Sequence, residues 1–178
     1  MKKFIATFWG FAVSAILVSQ VFVANAEAQI LSQSPLYLKN IALELNSPEA
    51  ISRYLWKNFR YENDQSHFGT AEYWQSPEEF LATRKGDCED FALMARELLA
   101  ATGRKAFVLN IYGDGYAHTI CVYVENGKYN AVDGTDLKRY QADDLKALIS
   151  KIQPRWETAA MADISSCNKG RILKKISK

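Results

Sequence analysis

Apolar residues recur at helical spacing in the first half of the chain, and they alternate with polar residues through much of the second half. Ser47-Pro48 predicts the start of a helix, with serine as the cap and proline in the first turn. Ser76 and Glu79 fit a capping box at the start of a second helix. A third helix follows Asp87 and ends near Gly103. We expect the apolar positions of the first and third helices to face the core. They are Ile51, Tyr54, Leu55, Phe59, Phe91, Ala95, Leu98 and Leu99.

The second half of the chain has the two-residue period of β-strands. Strands are expected at Lys105–Tyr112, Ala117–Val124 and Lys128–Asp133, followed by a last helix at Ala142–Ile152. Asn126-Gly127 is the strongest short sequence signal for a hairpin turn. Helices followed by antiparallel strands predict an α+β fold, with the helices packed on one side of a small antiparallel sheet.

The first 26 residues have the pattern of an export signal. Lys2 and Lys3 precede an apolar run from Phe4 to Ala24, and small residues at alternate positions allow cleavage after Ala26. The alternative is an uncleaved membrane anchor, because about 20 apolar residues can span a bilayer. We therefore expect a periplasmic or secreted protein that touches a membrane only through an uncleaved signal.

The rest of the chain divides into three segments. Residues 27–46 should form a linker that becomes helical near its end, residues 47–153 the folded domain, and residues 154–178 a basic tail whose last ten residues are loose or peripheral. The formal net charge of +2 is too small to indicate nucleic-acid binding.

Three cysteines leave at least one thiol without an intramolecular partner. A disulfide between Cys121 and Cys167, with Cys88 free, and two unpaired structural thiols are both consistent with the sequence. The absence of a C-x-x-C pair argues against a thioredoxin-type site and against a zinc ribbon.

The hairpin brings two polar residues to one place. A two-residue turn at Asn126-Gly127 pairs Glu125 with Lys128 and, further along, Ile120 with Asp133. His118 and Asp133 then share one face as diagonal neighbours, within reach of each other's side chains. The carboxylate would fix the tautomer of the imidazole and stabilise its protonated form.

Cys88 begins the third helix, where the helix dipole favours a thiolate. If that helix packs on the face that carries His118, the imidazole can take the thiol proton and later return it to a leaving group. The backbone N–H of Cys88 could hold an oxyanion. Acidic neighbours oppose thiolate formation, because negative charge raises the pKa of a thiol. They are Asp87, Glu89 and Asp90.

At these residues the chain resembles the transglutaminase-like superfamily, and in particular its bacterial cysteine proteinase branch. The matching segments are Gly86–Ala92 (G-D-C-E-D-F-A), Leu98-Leu99, Gly103, Ala117-His118, Val132–Thr135 and Tyr73–Pro77. The resemblance implies a papain-like α+β core and a triad of Cys88, His118 and Asp133. It also implies calcium binding at Asp87 and Glu89, for which helix capping is the alternative role.

These features together predict an exported, thiol-dependent hydrolase or acyltransferase that acts on peptide bonds or glutamine-type amides through an acyl-enzyme. Its partner would be a protein or peptide substrate, and nucleic acid is not expected. Two alternatives stay open: a catalytically silent peptide-binding module of the cell envelope, and a redox protein that uses Cys121 and Cys167.

Overall fold

The computed structural model describes residues 37–163 and 171–178. The expected signal sequence and Cys167 lie outside these residues. A first helix, α1, covers residues 37–45. Among the described residues, no helix is both long enough and apolar enough to span a bilayer.

Five further helices follow among the described residues. Those that begin at Pro48, Pro77 and Cys88 start at the expected caps, whereas the last begins at Leu145 and not at the expected Ala142. Ser47 caps α2 by accepting a hydrogen bond from the backbone N–H of Ala50, and Ser76 and Glu79 form the expected capping box of α4. Asp90 closes the start of α5 by accepting from the backbone N–H of Asp87. The helices are α2 (Pro48–Asn58), α3 (Asp64–His67), α4 (Pro77–Thr83), α5 (Cys88–Ala101) and α6 (Leu145–Ile152).

The strands form two sheets. A parallel pair joins β1 (Arg60–Tyr61) to β2 (Lys85–Gly86), and the six other strands form one antiparallel sheet in the order β6-β5-β4-β3-β7-β8. The α+β prediction is confirmed. The strands of the large sheet are β3 (Ala106–Gly113), β4 (Tyr116–Glu125), β5 (Lys128–Asp133), β6 (Asp136–Ala142), β7 (Thr158–Asp163) and β8 (Arg171–Ser177).

The predicted hairpin register is confirmed along β4 and β5. Glu125 pairs with Lys128, and the ladder continues without a shift to Cys121 and Val132. Asn126 and Gly127 both have positive φ, at 52° and 73°, as a type I′ turn requires. A local turn signal therefore determines the register of the strands that carry His118 and Asp133.

Each face of the large sheet has its own hydrophobic core. Helix α5 packs on one face with α2 and α4, against Val108, Cys121, Tyr123 and Val132. Helix α6 packs on the other face, in a second core that contains Ile120, Val122 and Trp156. The expectation that all helices lie on one side of the sheet is therefore wrong for α6. Its buried side chains, Leu148 and Ile149, belong to the opposite face.

The expected loose tail is also wrong. Residues beyond Pro154 add β7 and β8 to the edge of the sheet beside β3, and Trp156, Ala159 and Ile176 are buried in the second core. The sequence of β8 does not alternate regularly between basic and apolar residues. Most of its described side chains face solvent, so the strand needs no such alternation. Burial of a few apolar side chains and the backbone pairing hold this segment in place.

Candidate active site

His118 and Asp133 meet at the end of the β4–β5 hairpin. The Nε2 atom of His118 lies 2.7 Å from Oδ1 of Asp133, and both side chains are partly exposed. The Tyr116 ring packs edge-on against the imidazole, with ring centroids 5.8 Å apart. With Nε2 engaged by the carboxylate, Nδ1 is the ring nitrogen left for proton transfer.

Cys88 is the first residue of α5, and its half-buried thiol lies beside β4. The β4–β5 ladder ends at Cys121 and Val132, and residues 119 and 121 present their backbone N–H groups to the same edge of β4. Beyond this last pair, the backbone N–H of Thr119 is close enough to the Cys88 sulfur to act on the pKa of the thiol. The thiol therefore lies next to the residue that follows His118.

The helix that carries Cys88 does not pack on the face expected from the sequence. His118 pairs with Ile111 and alternates with Ile120, and both of these isoleucines belong to the second core. Helix α5 packs on the opposite face. Because β5 ends at Asp133, the sheet has an open edge at this point, and the thiol approaches along that edge.

The surroundings of Cys88 favour the neutral thiol. Burial raises the pKa of Cys88 to about 12, and the Glu89 carboxylate, which accepts a hydrogen bond from the sulfur at 3.2 Å, adds to the rise. The Thr119 N–H works in the other direction, since it stabilises the thiolate. A thiol that is neutral at pH 7 needs a base during the reaction, which the nearby imidazole can supply.

A buried polar network holds the segment before Cys88. Both oxygens of Asp90 accept hydrogen bonds from Gln75, one from its backbone N–H at 2.9 Å and one from its side-chain amide at 2.7 Å. The amide of Gln75 also donates to the carbonyl of Lys85. Asp90 thus fixes the strand β2 and the N-terminus of α5 with all of its acceptors occupied, which is a scaffolding role.

Acidic side chains crowd around Cys88, whose sulfur lies within 4.8 Å of ligand oxygens of Asp87 and Glu89. Ligand oxygens of Asp64, Glu72 and Glu89 lie equally close to one another, as do those of Asp64, Asp87 and Asp90. Three buried carboxylate oxygens have no hydrogen-bond partner among the described residues: Asp64 Oδ1, Asp87 Oδ1 and Glu89 Oε1. Burial raises the pKa of Asp64 and, more strongly, that of Glu89, which also faces Asp87.

This cluster fits a hard cation, because Ca²⁺ prefers carboxylate oxygens and several negative ligands. Asp87 and Glu89 are the pair named from the sequence. Asp64 and Glu72 were missed, since they lie in a polar, turn-rich stretch with no motif or period that links them to Cys88. Asp64 is the first residue of α3, the turn after α3 leads to Glu72, and the backbone N–H of Tyr73 donates to Asp64.

Part of the chain is similar in sequence to an archaeal protein. A UPF0252 protein from Archaeoglobus fulgidus is 32% identical over 68 residues, which are 37% of this chain. The chain spans only 22% of the length of that curated relative.

Two structures of LapG from Legionella pneumophila are similar in part. One has 19% identity and a TM-score of 0.47, over 80% of this chain and 75% of that chain. A second, described as calcium-bound, has 18% identity and a TM-score of 0.41 over the same shares.

The family model for the bacterial transglutaminase-like cysteine proteinases matches residues 9–128, which include Cys88 and His118. This span is more than half of the chain, and it confirms the predicted resemblance and the prediction of a cysteine peptidase. The chain belongs to the bacterial transglutaminase-like cysteine proteinases.

Proposed function

We propose that this protein is an exported peptidase in which Cys88, His118 and Asp133 form a catalytic triad. The observation that carries the proposal is the 2.7 Å contact between His118 and Asp133, on a strand whose next residue, Thr119, lies beside the Cys88 thiol. A nucleophile, a base and a group that orients the base are the parts that covalent amide cleavage requires.

The chemistry follows from these positions. His118 takes the thiol proton while the sulfur attacks the amide carbonyl carbon, and the protonated imidazole then gives that proton to the leaving nitrogen. The amine departs and a thioester to Cys88 remains. His118 next takes a proton from water, whose oxygen attacks the thioester, and the sulfur leaves with the proton from the imidazole. An amine in place of water would give transamidation by the same steps.

Two features stabilise the charges that develop. Asp133 faces the imidazolium that forms after the first proton transfer, and its negative charge lowers the energy of that ion pair. The backbone N–H of Cys88 lies at the first turn of α5, where N–H groups have no partner within the helix. It is placed to donate to the oxyanion of the tetrahedral intermediate.

The test compares two single-cysteine changes. Cys88→Ala should abolish cleavage of a casein-type protein substrate, and iodoacetamide should label the peptide that contains Cys88 in the parent protein, because this is the reactive thiol. Cys121→Ala is the matched control: this thiol is fully buried against α5, so activity should remain and the cost should be limited to a small loss of stability. Undiminished cleavage by Cys88→Ala would refute the proposal. Binding of a peptide without turnover in the parent protein would favour the silent binding module.

Export belongs to the same proposal. The signal pattern in residues 1–26 supports it, and cleavage after Ala26 would leave Glu27 as the first residue of the mature protein. The mass of the protein recovered from a periplasmic fraction and from the medium checks this. A chain that keeps residues 1–26 and sediments with membranes would favour the uncleaved anchor.

We further propose that the acidic cluster binds calcium, on the strength of its three buried oxygens without partners. Asp87 and Glu89 would be ligands, with Asp64 and Glu72 completing the set. A bound dication lowers the pKa of neighbouring acids and favours the thiolate of Cys88.

Removal of calcium gives the prediction that tests this site. Adding Ca²⁺ to EGTA-treated protein, at a hundredfold excess over Kd, should raise the free energy of unfolding by about 2.7 kcal/mol, seen as a higher melting temperature. Asp64→Asn and Glu89→Gln should each lose most of this shift. Glu44→Gln, an exposed acid on α1, should keep it. An equal shift in all variants would contradict the assignment.

A further inference from the structure

A groove of about 590 Å³ opens beside the candidate active site. It is lined by Asp133 and by Phe91 of α5, together with Trp56, Lys57, Arg60 and Tyr61. Trp56 and Tyr61 expose 66% and 68% of their surface. Large aromatic side chains this exposed are typical of binding surfaces, where they offer contact area at little entropic cost.

The groove carries positive charge that the protein itself does not neutralise. Lys57 and Arg60 form no ion pair with any residue in the described parts of the chain. The Nη1 atom of Arg60 donates to the backbone carbonyls of Trp56 and Phe59, and these hold the guanidinium at the groove.

The acids that line the groove are already engaged. Asp133 contacts His118, and Asp136 forms a 3.2 Å ion pair with Lys138. The two cations, Lys57 and Arg60, are therefore the charges in the groove that can attract an anionic group of a ligand.

Strand β1 offers backbone groups to a ligand in the same place. The N–H groups of Arg60 and Glu62 donate to the carbonyls of Arg84, just before β2, and of Gly86, within β2, at 2.9 Å in each case. Because backbone groups alternate between the two edges of a strand, the N–H and C=O of Tyr61 point away from β2, at the free edge of this short sheet. An extended peptide can pair with such an edge.

Tyr61 also connects the groove with the nucleophile. It pairs with Gly86 in β2, two residues before Cys88, and Phe91 of α5 lines the groove as well. A ligand that lies along β1 therefore passes beside the N-terminus of α5, where Cys88 lies.

We propose that this groove binds an extended segment of the substrate beside the scissile amide, with an acidic side chain at Lys57 and Arg60 and apolar contacts on Trp56 and Tyr61. The inference rests on the proposed peptidase function and names its substrate class: a peptide with Asp or Glu at one defined distance from the cleaved bond. At the thiol itself the acidic cluster repels such a side chain, so the preference is confined to one position.

Internally quenched decapeptides test this, with Glu, Gln or Lys scanned through each position around a cleaved amide. At one position kcat/KM should be about tenfold higher for Glu than for Lys at low salt, and the ratio should shrink as salt screens the charges. Lys57→Glu and Arg60→Glu should each abolish or reverse the ratio. Lys146→Glu changes the same charge on α6, outside the groove, and should leave the ratio unchanged.

Two outcomes would overturn the groove assignment: a Glu-to-Lys ratio below twofold at every position, or an equal effect of Lys146→Glu and Lys57→Glu. The melting temperature of each variant shows whether Arg60→Glu has lost the fold, and Lys57→Glu, fully on the surface, serves as the second variant.

Binding to Cys88→Ala separates this inference from the peptidase proposal. Fluorescence polarisation with a labelled Glu-containing peptide should show binding that Lys57→Glu abolishes. Binding of this kind without cleavage by the parent protein would refute the peptidase and keep the groove. Cleavage without a charge preference would keep the peptidase and refute the groove assignment. If the protein neither bound nor cleaved any peptide, both proposals would be refuted.

Discussion

The contact between Asp133 and His118 makes the sharpest prediction at the scale of single residues. Asp133→Asn keeps the size of the side chain but removes the charge that stabilises the imidazolium, so kcat/KM should fall by about 10²–10⁴-fold. The side chain is partly exposed, so the melting temperature should change little. Asp136→Asn, at the rim of the same groove, is the control and should stay within about threefold. A loss below threefold for Asp133→Asn would leave His118 without an orienting partner of consequence.

A second prediction concerns Gly86, where there is no room for a side chain beside Asp90 and Gln75. A Cβ atom here would lie 2.1 Å from Oδ2 of Asp90 and 2.7 Å from Nε2 of Gln75. Gly86→Ala should therefore destabilise the fold by about 1–3 kcal/mol through overpacking, and should displace the N-terminus of α5 together with Cys88. Urea denaturation and thiol labelling measure the two effects. Unchanged values of both would contradict the close approach.

Single residues differ in how far the sequence could predict them. The meeting of His118 with Asp133 depends on one tight turn, and a turn of this kind is encoded locally by Asn126-Gly127. The route by which Cys88 reaches the site depends on which face of the sheet α5 covers. Long-range packing determines this face, and the prediction that α5 covers the face carrying His118 was wrong. Asp64 was not predicted for the same reason, since only the tertiary packing of α3 brings it close to Glu89.

At the scale of elements, the β4–β5 turn determines the register of the strands that carry His118 and Asp133. Gly127→Ala tests how much this turn contributes to stability. Gly127 has φ of 73° with no atom within 4 Å of an added Cβ, so the cost is purely conformational and should be about 1 kcal/mol. Asn126→Gly is the matched control, because glycine adopts the φ of 52° at that position freely. Thermal unfolding measures both. A Gly127→Ala variant as stable as the parent would mean that the turn is not what holds the register.

Three strands of the large sheet were not predicted, because their sequences lack the pattern of a half-buried strand. Strands β6 and β8 lie at the two edges of the sheet, and most of their described side chains are exposed, so neither shows the alternation that identifies a half-buried strand. Strand β7 is built around alanines, which have little preference for strands. By contrast β4 and β5 are central and alternate between two cores, which is why their bounds could be predicted almost to the residue.

At the scale of the whole molecule, the second core makes the C-terminal strands part of the fold, and two isoleucines of β8 distinguish this from a loose tail. Ile176 is 7% exposed and faces Ala159 and Trp156, whereas Ile172 is 52% exposed. Ile176→Ala should therefore lower the free energy of unfolding by about 2–3 kcal/mol, and Ile172→Ala by less than about 0.5 kcal/mol. If both variants changed the free energy of unfolding equally and negligibly in urea denaturation, these residues would form a loose tail and not a strand of the sheet. A large effect of Ile176→Ala alone would mean that the sheet carrying His118 depends for its stability on a strand whose sequence looks like a solvated terminus.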